Sequence, residues 1–196
     1  MEFEELAIPG VWKAFSGKLD DQRGSFSEWY RSEEISLATG LDFNVRQGNV
    51  SFSKRGVVRG IHYSLASLGQ AKWVTCLLGS VVDFIVDIRI NSPTFGKWIA
   101  LELNGNNGLA VLIPSGLGHA FVSLEDDSCF AYLLTSSYSP SYEYAINPLD
   151  STLKIDWGIG TNELHFSQKD REAPSLNDQM HANLLPIFQN PLNINL

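Results

Sequence analysis

Short runs of strand-forming residues recur along most of the chain, and they constrain the fold more strongly than any other feature. These runs are rich in Val, Ile, Phe, Trp and Thr and cover residues 44–52, 71–78, 81–90, 97–103, 109–113, 119–124 and 129–135. Turn sequences such as NSPTFG, NGNNG and PSGLG separate them. Many short strands at this spacing predict an all-β fold, either an antiparallel sandwich or a barrel. Helices are few: one is predicted from Ser32 to a stop at Gly40, and a second, short one within residues 174–186.

The chain has no internal repeat, low-complexity run or interdomain linker, so its 196 residues are expected to form one domain, residues 1–196. The first ten residues lack the basic and apolar regions of a secretion signal. The longest apolar stretch, residues 76–88, contains polar residues and is too short to cross a bilayer. Cys76 and Cys129 lie in strand-like runs without metal-ligand spacing. We therefore expect reduced, buried thiols and a cytoplasmic location.

Charge is distributed unevenly. The net charge of −8 argues against nucleic acid or an anionic membrane as a partner. Between Phe43 and Val82, however, there is no Asp or Glu. The same stretch carries five cationic residues, Arg46, Lys54, Arg55, Arg59 and Lys72. This block is suited to binding a small anion such as a phosphate or pyrophosphate, the alternative being a chance composition shift over a solvated face.

The stretch VVRGIHY, residues 57–63, combines a strand-like pattern with two ionisable side chains. Arg59 and His62 are three positions apart, and strand side chains alternate, so a regular strand would direct them to opposite faces. Gly60 lies between them, and a glycine inside a strand often marks a bulge. A bulge would bring both side chains to one site. The alternative is an edge strand with a solvated arginine and a core histidine.

Acid–base chemistry is the reaction type that these ionisable residues favour. His62 suits a general base if a carboxylate orients its ring, and Asp83, Asp87 and Asp170 are the candidates. Asp83 and Asp87 lie in an apolar run, so an alternative is that they pair with Arg89 or a loop amide.

Two further side chains have plausible roles beside that base. Lys72 opens a strand, where its cation could stabilise developing negative charge. Tyr132 lies in mid-strand and is either functional or a core tyrosine.

His119 follows the turn IPSGLG and precedes a strand, an arrangement typical of cupins, which are jelly-roll barrels with a site in the barrel mouth. A metal-binding cupin would also supply a close His-x-His pair and a downstream glutamate. Here the residue two before His62 is Gly60. The ligand count therefore predicts that no metal is bound.

Several sequence blocks together resemble the dTDP-4-dehydrorhamnose 3,5-epimerases, metal-free cupins of nucleotide-sugar metabolism. The blocks are DQRGSFSEWY, RQGN, VVRGIHY, QAKWVTCLLGSVVDFIVDIRINSPTFGKW, IPSGLGHAF, YSPSYE and SQKD, in this order. The similarity covers roughly residues 5–175. It implies a cupin-type double-stranded jelly-roll barrel with a few short helices. It also implies an isomerase that inverts C3 and C5 of dTDP-4-dehydro-6-deoxy-D-glucose without a cofactor. The absence of a GxGxxG fingerprint and of a P-loop agrees with that expectation.

The resemblance also implies residue roles. His62 corresponds to the catalytic base with Asp170 as its partner, Lys72 to the cation at the substrate's keto oxygen, and Tyr132 to the acid on the opposite side. The substrate contacts are Arg23, Glu28, Gln47, Asn49, Arg59, Lys72, His119, Glu143 and Lys169, with Tyr138 stacking on the thymine ring. In such epimerases the N-terminal segment, here about residues 1–30, reaches the partner subunit of a homodimer. Residues from about 172 to 196 form a C-terminal tail.

Three positions depart from the family pattern. Leu19 replaces an aromatic opposite Tyr138, which weakens the expectation of selectivity for thymine. Ser64 replaces a glutamine and Leu133 a lysine, which suggests altered pocket chemistry. Epimerases acting at C3 alone share nearly all of these residues, so a C3-only epimerase or a related sugar-nucleotide isomerase is the alternative function. A cupin that binds a sugar nucleotide without catalysis is a third possibility, against which the combination of acid–base residues argues.

Overall fold

Two antiparallel sheets face each other and enclose the centre of the protein. A computed structural model describes residues 1–67 and 69–189, so the last part of the predicted C-terminal tail lies outside the described residues. Thirteen strands are formed: β1 Glu2–Glu5, β2 Trp12–Phe15, β3 Leu19–Asp21, β4 Gly24–Phe26, β5 Gln47–Ser53, β6 Val58–Ser64, β7 Lys72–Leu78, β8 Ser80–Val86, β9 Trp98–Asn104, β10 Leu109–Ile113, β11 Gly118–Ser123, β12 Ser128–Leu134 and β13 Glu143–Ala145. Three α-helices accompany them, α1 Ser32–Thr39, α2 Gln168–Arg171 and α3 Leu176–His181.

The chain alternates between the sheets, as a jelly roll requires. One sheet has the strand order β1-β2-β10-β7-β12-β5 and the other β13-β6-β11-β8-β9, while β3 and β4 form a separate hairpin. From β5 to β8 and again from β10 to β12, each strand lies in the sheet opposite to that of the strand before it. The predicted jelly-roll barrel is therefore confirmed.

Side-chain alternation along each strand divides the apolar residues among three clusters. The inner faces meet in a cluster that includes Val74, Ile85, Val111 and Phe130. The outer face of the five-stranded sheet packs against the segment after β13, for example Phe84 against Trp157. The outer face of the six-stranded sheet packs against α1, with Trp73 and Ile35 in one cluster. Both outer faces are thus covered over part of their area, and the space between the two inner faces is where a site can lie.

Capping residues account for one boundary of each α-helix. Gly40 ends α1 in a left-handed conformation, with φ of 73°. In α3, Ser175 and Asp178 form a reciprocal capping box. The short α2 is capped by the hydroxyl of Ser167, which accepts a hydrogen bond from the Asp170 amide. Within residues 1–67 and 69–189, no helix combines the length and apolarity needed to cross a membrane.

Candidate active site

A cavity of about 480 Å³ opens between the two sheets, and we call it the main cavity. Its wall contains the four side chains expected to share one interior. His62 on β6 and His119 on β11 come from the five-stranded sheet, whereas Lys72 on β7 and Tyr132 on β12 come from the six-stranded sheet. The two sheets therefore place a histidine and a tyrosine on opposite sides of one space.

Arg59 and His62 both line this cavity because β6 contains an extra residue. His119 pairs with His62 and Phe121 with Arg59, so three steps along β6 match two steps along β11. The bulge lies at Gly60, as predicted, and restores a common direction for the two side chains. Gly60 has φ of +121°, and a Cβ there would lie 2.5 Å from both the Ala120 Cβ and the His119 carbonyl oxygen. Glycine is the residue that this close approach permits.

His62 is paired with a carboxylate held by a helix. Its Nε2 lies 2.6 Å from Oδ1 of Asp170, which is almost fully buried at the end of the main cavity. Burial alone would raise the pKa of Asp170, but the hydrogen bond and charge of His62 and the hydroxyl of Ser167 bring that pKa below its usual value. An ionised Asp170 fixes the Nε2–H tautomer of neutral His62. The other ring nitrogen, Nδ1, is then free to accept a proton.

Lys72 is a buried amine that lines both cavities among other polar and ionisable side chains. Burial lowers its pKa to about 8, although the carboxylates of Glu143 and Asp83 act in the opposite direction. Its Nζ lies 3.5 Å from the carbonyl oxygen of His62. The amine thus sits beside the histidine and retains its charge at neutral pH. A desolvated cation in this position can stabilise an anion formed next to His62.

Tyr132 retains its proton at neutral pH. Burial raises the pKa of its phenol, and this effect outweighs the opposite influence of Arg59 and of a hydrogen bond with Asn49. A protonated phenol that faces a cavity is a proton donor to whatever anion forms there. Because it lies on the sheet opposite that of His62, the site offers a candidate base and a candidate acid on opposite walls.

A second carboxylate–histidine pair lies behind the first. His119 Nε2 is 2.6 Å from Oδ1 of Asp83, a residue with 0% exposure. Burial lowers the pKa of His119, outweighing the opposite effect of Asp83, so a neutral imidazole faces the cavity. Asp83 pairs with neither Arg89 nor a loop amide, so that alternative is wrong for this residue. It is correct for Asp87, which forms two hydrogen bonds with the Arg89 guanidinium, at 2.9 and 2.8 Å.

A smaller recess of about 180 Å³, here called the side recess, adjoins the main cavity and shares His62, Lys72, Tyr132 and Lys169 with it. Four further predicted contacts line it: Gln47, Asn49, Tyr138 and Glu143. The Gln47 side chain donates to Asn49 at 2.9 Å and accepts from the Tyr138 amide at 2.7 Å. Tyr138 is 56% exposed, which leaves its ring available for stacking at the rim.

Two predicted contacts do not reach either cavity of their own chain. Arg23 lies in the turn of the β3–β4 hairpin, 89% exposed and ion-paired with Asp21. Glu28 follows that hairpin and lies within 3.7 Å of Arg31. Neither residue lines the main cavity or the side recess.

The residues that depart from the family pattern are also outside the site of this chain. Leu19 is 70% exposed on the hairpin. Leu133 packs on the outer cluster with Trp73, and Ser64 is buried, with its hydroxyl bonded to the Ala66 amide. Neither Ser64 nor Leu133 lines the main cavity or the side recess, and the suggestion that they alter the pocket stays a prediction.

Sequence reasoning also missed residues of the main cavity, notably Ser51, Phe121, Phe130 and His165. Ser51 could have been found, since it continues the alternation of Gln47 and Asn49 along β5. His165 lies outside any strand-like run, and only the tertiary structure brings it to the cavity. Among the described residues, no group of three or more His, Cys, Asp and Glu side chains is placed to hold a metal ion.

Comparison with known proteins agrees with this geometry. The sequence profile of the dTDP-4-dehydrorhamnose 3,5-epimerases matches residues 5–178. A dTDP-4-dehydro-6-deoxyglucose 3-epimerase of Streptomyces bikiniensis is 42% identical over 94% of this chain and 93% of its own. A dTDP-4-dehydrorhamnose 3,5-epimerase of Mycolicibacterium smegmatis is 41% identical over 96% and 92%.

Solved structures show the same relationship. The dTDP-6-deoxy-D-glucose-3,5-epimerase of Legionella pneumophila Philadelphia 1, in complex with dTDP-4-keto-L-rhamnose, superposes with a TM-score of 0.91. It is 36% identical, and the match covers 96% of this chain and 99% of that one. The fold, the paired acid–base residues and these similarities agree, and the chain belongs to the dTDP-4-dehydrorhamnose 3,5-epimerase family of sugar-nucleotide isomerases.

Proposed function

We propose that this protein converts dTDP-4-dehydro-6-deoxy-D-glucose to dTDP-4-dehydro-L-rhamnose by inverting C3 and C5. The observation that carries the proposal is the placement of His62 and Tyr132 on opposing sheets across one cavity, with Lys72 beside the histidine. Inversion of a carbon requires a base on one face and a proton donor on the other. Simple binding of a sugar nucleotide would need neither, which argues against a non-catalytic cupin.

The first step is removal of a proton next to the 4-keto group. Nδ1 of His62 takes the proton from C3 or C5, and the electron pair of the C–H bond moves into the ring to form an enolate whose charge lies largely on O4. Asp170 stabilises the imidazolium that results. The Lys72 ammonium stabilises the enolate oxygen more than it stabilises the neutral ketone, which is the differential stabilisation that lowers a barrier.

The second step returns a proton to the opposite face of the same carbon. The Tyr132 hydroxyl donates it, the enolate collapses to the ketone, and the configuration at that carbon is inverted. Proton exchange with solvent then resets both residues for the other carbon. No bound cofactor is required for either step.

Binding is proposed to follow the two cavities. Tyr138 stacks on the thymine, with Gln47, Asn49 and Glu143 beside it in the side recess. Arg59, Lys169 and His119 contact the diphosphate and sugar from the main cavity. Arg59 is fixed by a 3.2 Å hydrogen bond from its Nε to the Ser53 hydroxyl, which leaves other guanidinium donors for an anion.

Epimerisation at C3 alone is the alternative, because relatives of nearly equal identity carry both descriptions. Incubation with dTDP-4-dehydro-6-deoxy-D-glucose in heavy water distinguishes the two functions, since each carbon that is deprotonated takes up deuterium. NMR is expected to show deuterium at C3 and C5 of an L-configured product. Deuterium and inversion restricted to C3 would establish the alternative, and an unchanged substrate would refute both.

We further propose that residues 1–196 form one domain that assembles as a homodimer, with about residues 1–30 reaching the partner. Arg23 and Glu28 would then complete the site of the other subunit. Exposed apolar side chains support an interface: Leu19 and Phe26 on the hairpin, and Val50 and Phe52 on the edge strand β5. The two free, buried thiols, Cys76 and Cys129, support a reducing location such as the cytoplasm.

A further inference from the structure

Gln70 is a buried polar side chain in the side recess for which the proposed mechanism has no role. It immediately precedes β7, is only 6% exposed, and lines the recess together with Lys72 and Glu143. A buried amide that served only packing would be replaceable by an apolar side chain of equal size. Its hydrogen bonds indicate a more specific purpose.

The Gln70 amide joins two segments that are distant in sequence. Its Nε2 donates to Oε1 of Glu143 and to the hydroxyl of Ser136, both at 3.2 Å. A carboxylate only accepts hydrogen bonds, so the amide nitrogen must be the atom that faces Glu143. The two donors of this one NH₂ group thus tether Glu143, the first residue of β13, and Ser136, the second residue of the loop after β12.

The backbone next to Gln70 strengthens this link. The Ala71 amide donates to the Thr135 hydroxyl at 2.9 Å, and the Thr135 amide donates to the Ala71 carbonyl at 3.1 Å. Residues 70–71 therefore clamp residues 135–136 through both backbone and side chain. The loop of residues 135–142 that starts at this clamp carries Tyr138.

We propose that Gln70 is a positioning residue that holds the Glu143 carboxylate beside Lys72 and fixes the start of the loop that carries Tyr138. This inference rests on the proposed function only in giving Lys72 a catalytic purpose. The claim that Gln70 acts on Lys72 through Glu143 rests on the Gln70–Glu143 hydrogen bond and on the position of both Glu143 and Lys72 in the side recess, and it is testable without any turnover.

The electrostatic link runs through Glu143. Its carboxylate favours the charged form of Lys72 and so opposes the fall in the pKa of that amine on burial. Other groups around the amine come from every neighbouring element: Asp83 on β8, His62 on β6, His119 on β11, Tyr132 on β12 and Lys169 on α2. Of these groups and Glu143, Gln70 bonds only to Glu143. Removal of the Gln70 amide would free the Glu143 carboxylate to turn towards solvent. The pKa of Lys72 would then fall further, because less negative charge would oppose the effect of burial.

The experiment measures the protonation of Lys72 directly in the full-length protein. Brief labelling with acetic anhydride across pH 6 to 11, followed by peptide-resolved mass spectrometry, gives the pH at which Lys72 is half-labelled. Wild type, Gln70→Met, Glu143→Gln and the double variant are compared. Ser136→Ala is the matched control, because it removes the other acceptor of the same amide and leaves the bond to Glu143.

We expect the Lys72 midpoint to fall by about one pH unit in Gln70→Met and in Glu143→Gln, as the loss of a nearby opposite charge predicts. In the double variant the midpoint is expected to be no lower than in Glu143→Gln alone, because Gln70 acts on Lys72 only through Glu143. Ser136→Ala is expected to keep the wild-type midpoint. The proposal would be overturned if Gln70→Met left the Lys72 midpoint unchanged. It would also be overturned if Gln70→Met lowered that midpoint by the same amount in the wild type and in the Glu143→Gln variant.

Kinetics provide a second readout if wild type is active. Gln70→Met is expected to raise KM, because the loop that carries Tyr138 loses a tether. It is also expected to make kcat fall at a lower pH than in the wild type, because the pKa of Lys72 is lower. Ser136→Ala is expected to change only KM. If Gln70→Met does not fold, Gln70→Asn replaces it, because that amide is one methylene too short to reach Glu143. A wild type without epimerase activity would refute the proposed function but leave the labelling result valid, so the two failures are distinguishable.

Discussion

At the scale of single residues, two histidines of one cavity differ in their chemistry because their surroundings differ. His62 is half exposed and paired with Asp170, so it can exchange its proton with substrate and solvent. His119 is buried against Asp83, and burial disfavours its charged form. These two histidines lie side by side on the same wall, on β6 and β11, and their surroundings suit the first to the proposed role of base and the second to that of a neutral contact.

The assignment of base and acid predicts different behaviour for two variants. His62→Ala is expected to lower both epimerisation and exchange of substrate hydrogen with solvent by about 100- to 10,000-fold, because no enolate forms. Tyr132→Phe keeps the ring and loses the hydroxyl, so His62 can still remove a proton and return it to the same face. NMR in heavy water should therefore show exchange without inversion. Normal inversion in Tyr132→Phe would mean that another group is the acid.

The ionisation of Lys72 predicts how kcat changes at basic pH. The ammonium is the form that stabilises the enolate, and the pKa of about 8 means that this form is lost as pH rises through 8. We expect kcat to be level with respect to this group below that pH and to fall about tenfold per pH unit above it. Lys72→Met, with kcat measured over the same pH range, should abolish this limb together with most of the activity. A constant kcat from pH 7 to 10 in the wild type would exclude the role.

At the scale of elements, the bulge in β6 brings two side chains of one strand into the same cavity. Without the extra residue, Arg59 and His62 would face opposite sides of the sheet. The contact of Gly60 with β11 makes the bulge dependent on the absence of a side chain. Local sequence at one position therefore controls the relative placement of Arg59 and His62, the proposed substrate contact and the proposed base.

Gly60→Ala is expected to destabilise the fold by at least about 2 kcal/mol and to reduce turnover, because its Cβ would clash with β11. Gly96→Ala is a matched control: its φ is also positive, at +75°, but a Cβ there meets nothing within 4 Å. Gly96→Ala is expected to lower the free energy of unfolding by about 1 kcal/mol and to leave turnover unchanged. Thermal unfolding and steady-state kinetics of both variants test the prediction, which fails if the two proteins behave alike.

At the scale of the whole molecule, one subunit does not contain all of the predicted contacts. Arg23 and Glu28 lie on the exposed hairpin and its following segment, outside the main cavity and the side recess of their own chain. The apolar side chains of the same hairpin are exposed as well. A homodimer in which the hairpin of one subunit closes the site of the other would account for both facts.

Mixing of subunits tests this arrangement. Arg23→Ala and His62→Ala homodimers are each expected to be nearly inactive, for different reasons. In a refolded equal mixture, half of the dimers are mixed and one of their two sites has both residues, so about a quarter of wild-type activity should return. Activity that stays at the level of the parents would show that Arg23 serves its own chain or that no dimer forms. Sedimentation of the mixture gives the oligomeric state independently.

Much of this architecture follows from the sequence alone. Runs rich in β-branched and aromatic residues, such as β7, β8 and β12, identify strands because these strands bury residues at consecutive positions, on both faces. Gly40 and Ser175 define helix ends through local conformation. The irregularity at Gly60 is predictable from side-chain alternation, with which Arg59 and His62 conflict. The short strands β1 to β4 and β13 are not predictable from pattern, because three or four residues carry too little periodicity.

Only the tertiary structure decided which side chains meet. Residue types alone offered Asp83, Asp87 and Asp170 as partners for His62, and the family resemblance pointed to Asp170. The pairing itself depends on α2 docking beside β6, and the pairing of His119 with Asp83 depends on β8 lying next to β11. His165 and Gln70 reached the cavities through loops with no periodic pattern. Local sequence determines backbone conformation and the face on which a side chain lies, because those depend on near neighbours. Pairing between residues over a hundred positions apart depends on how the sheets close, which no local pattern encodes.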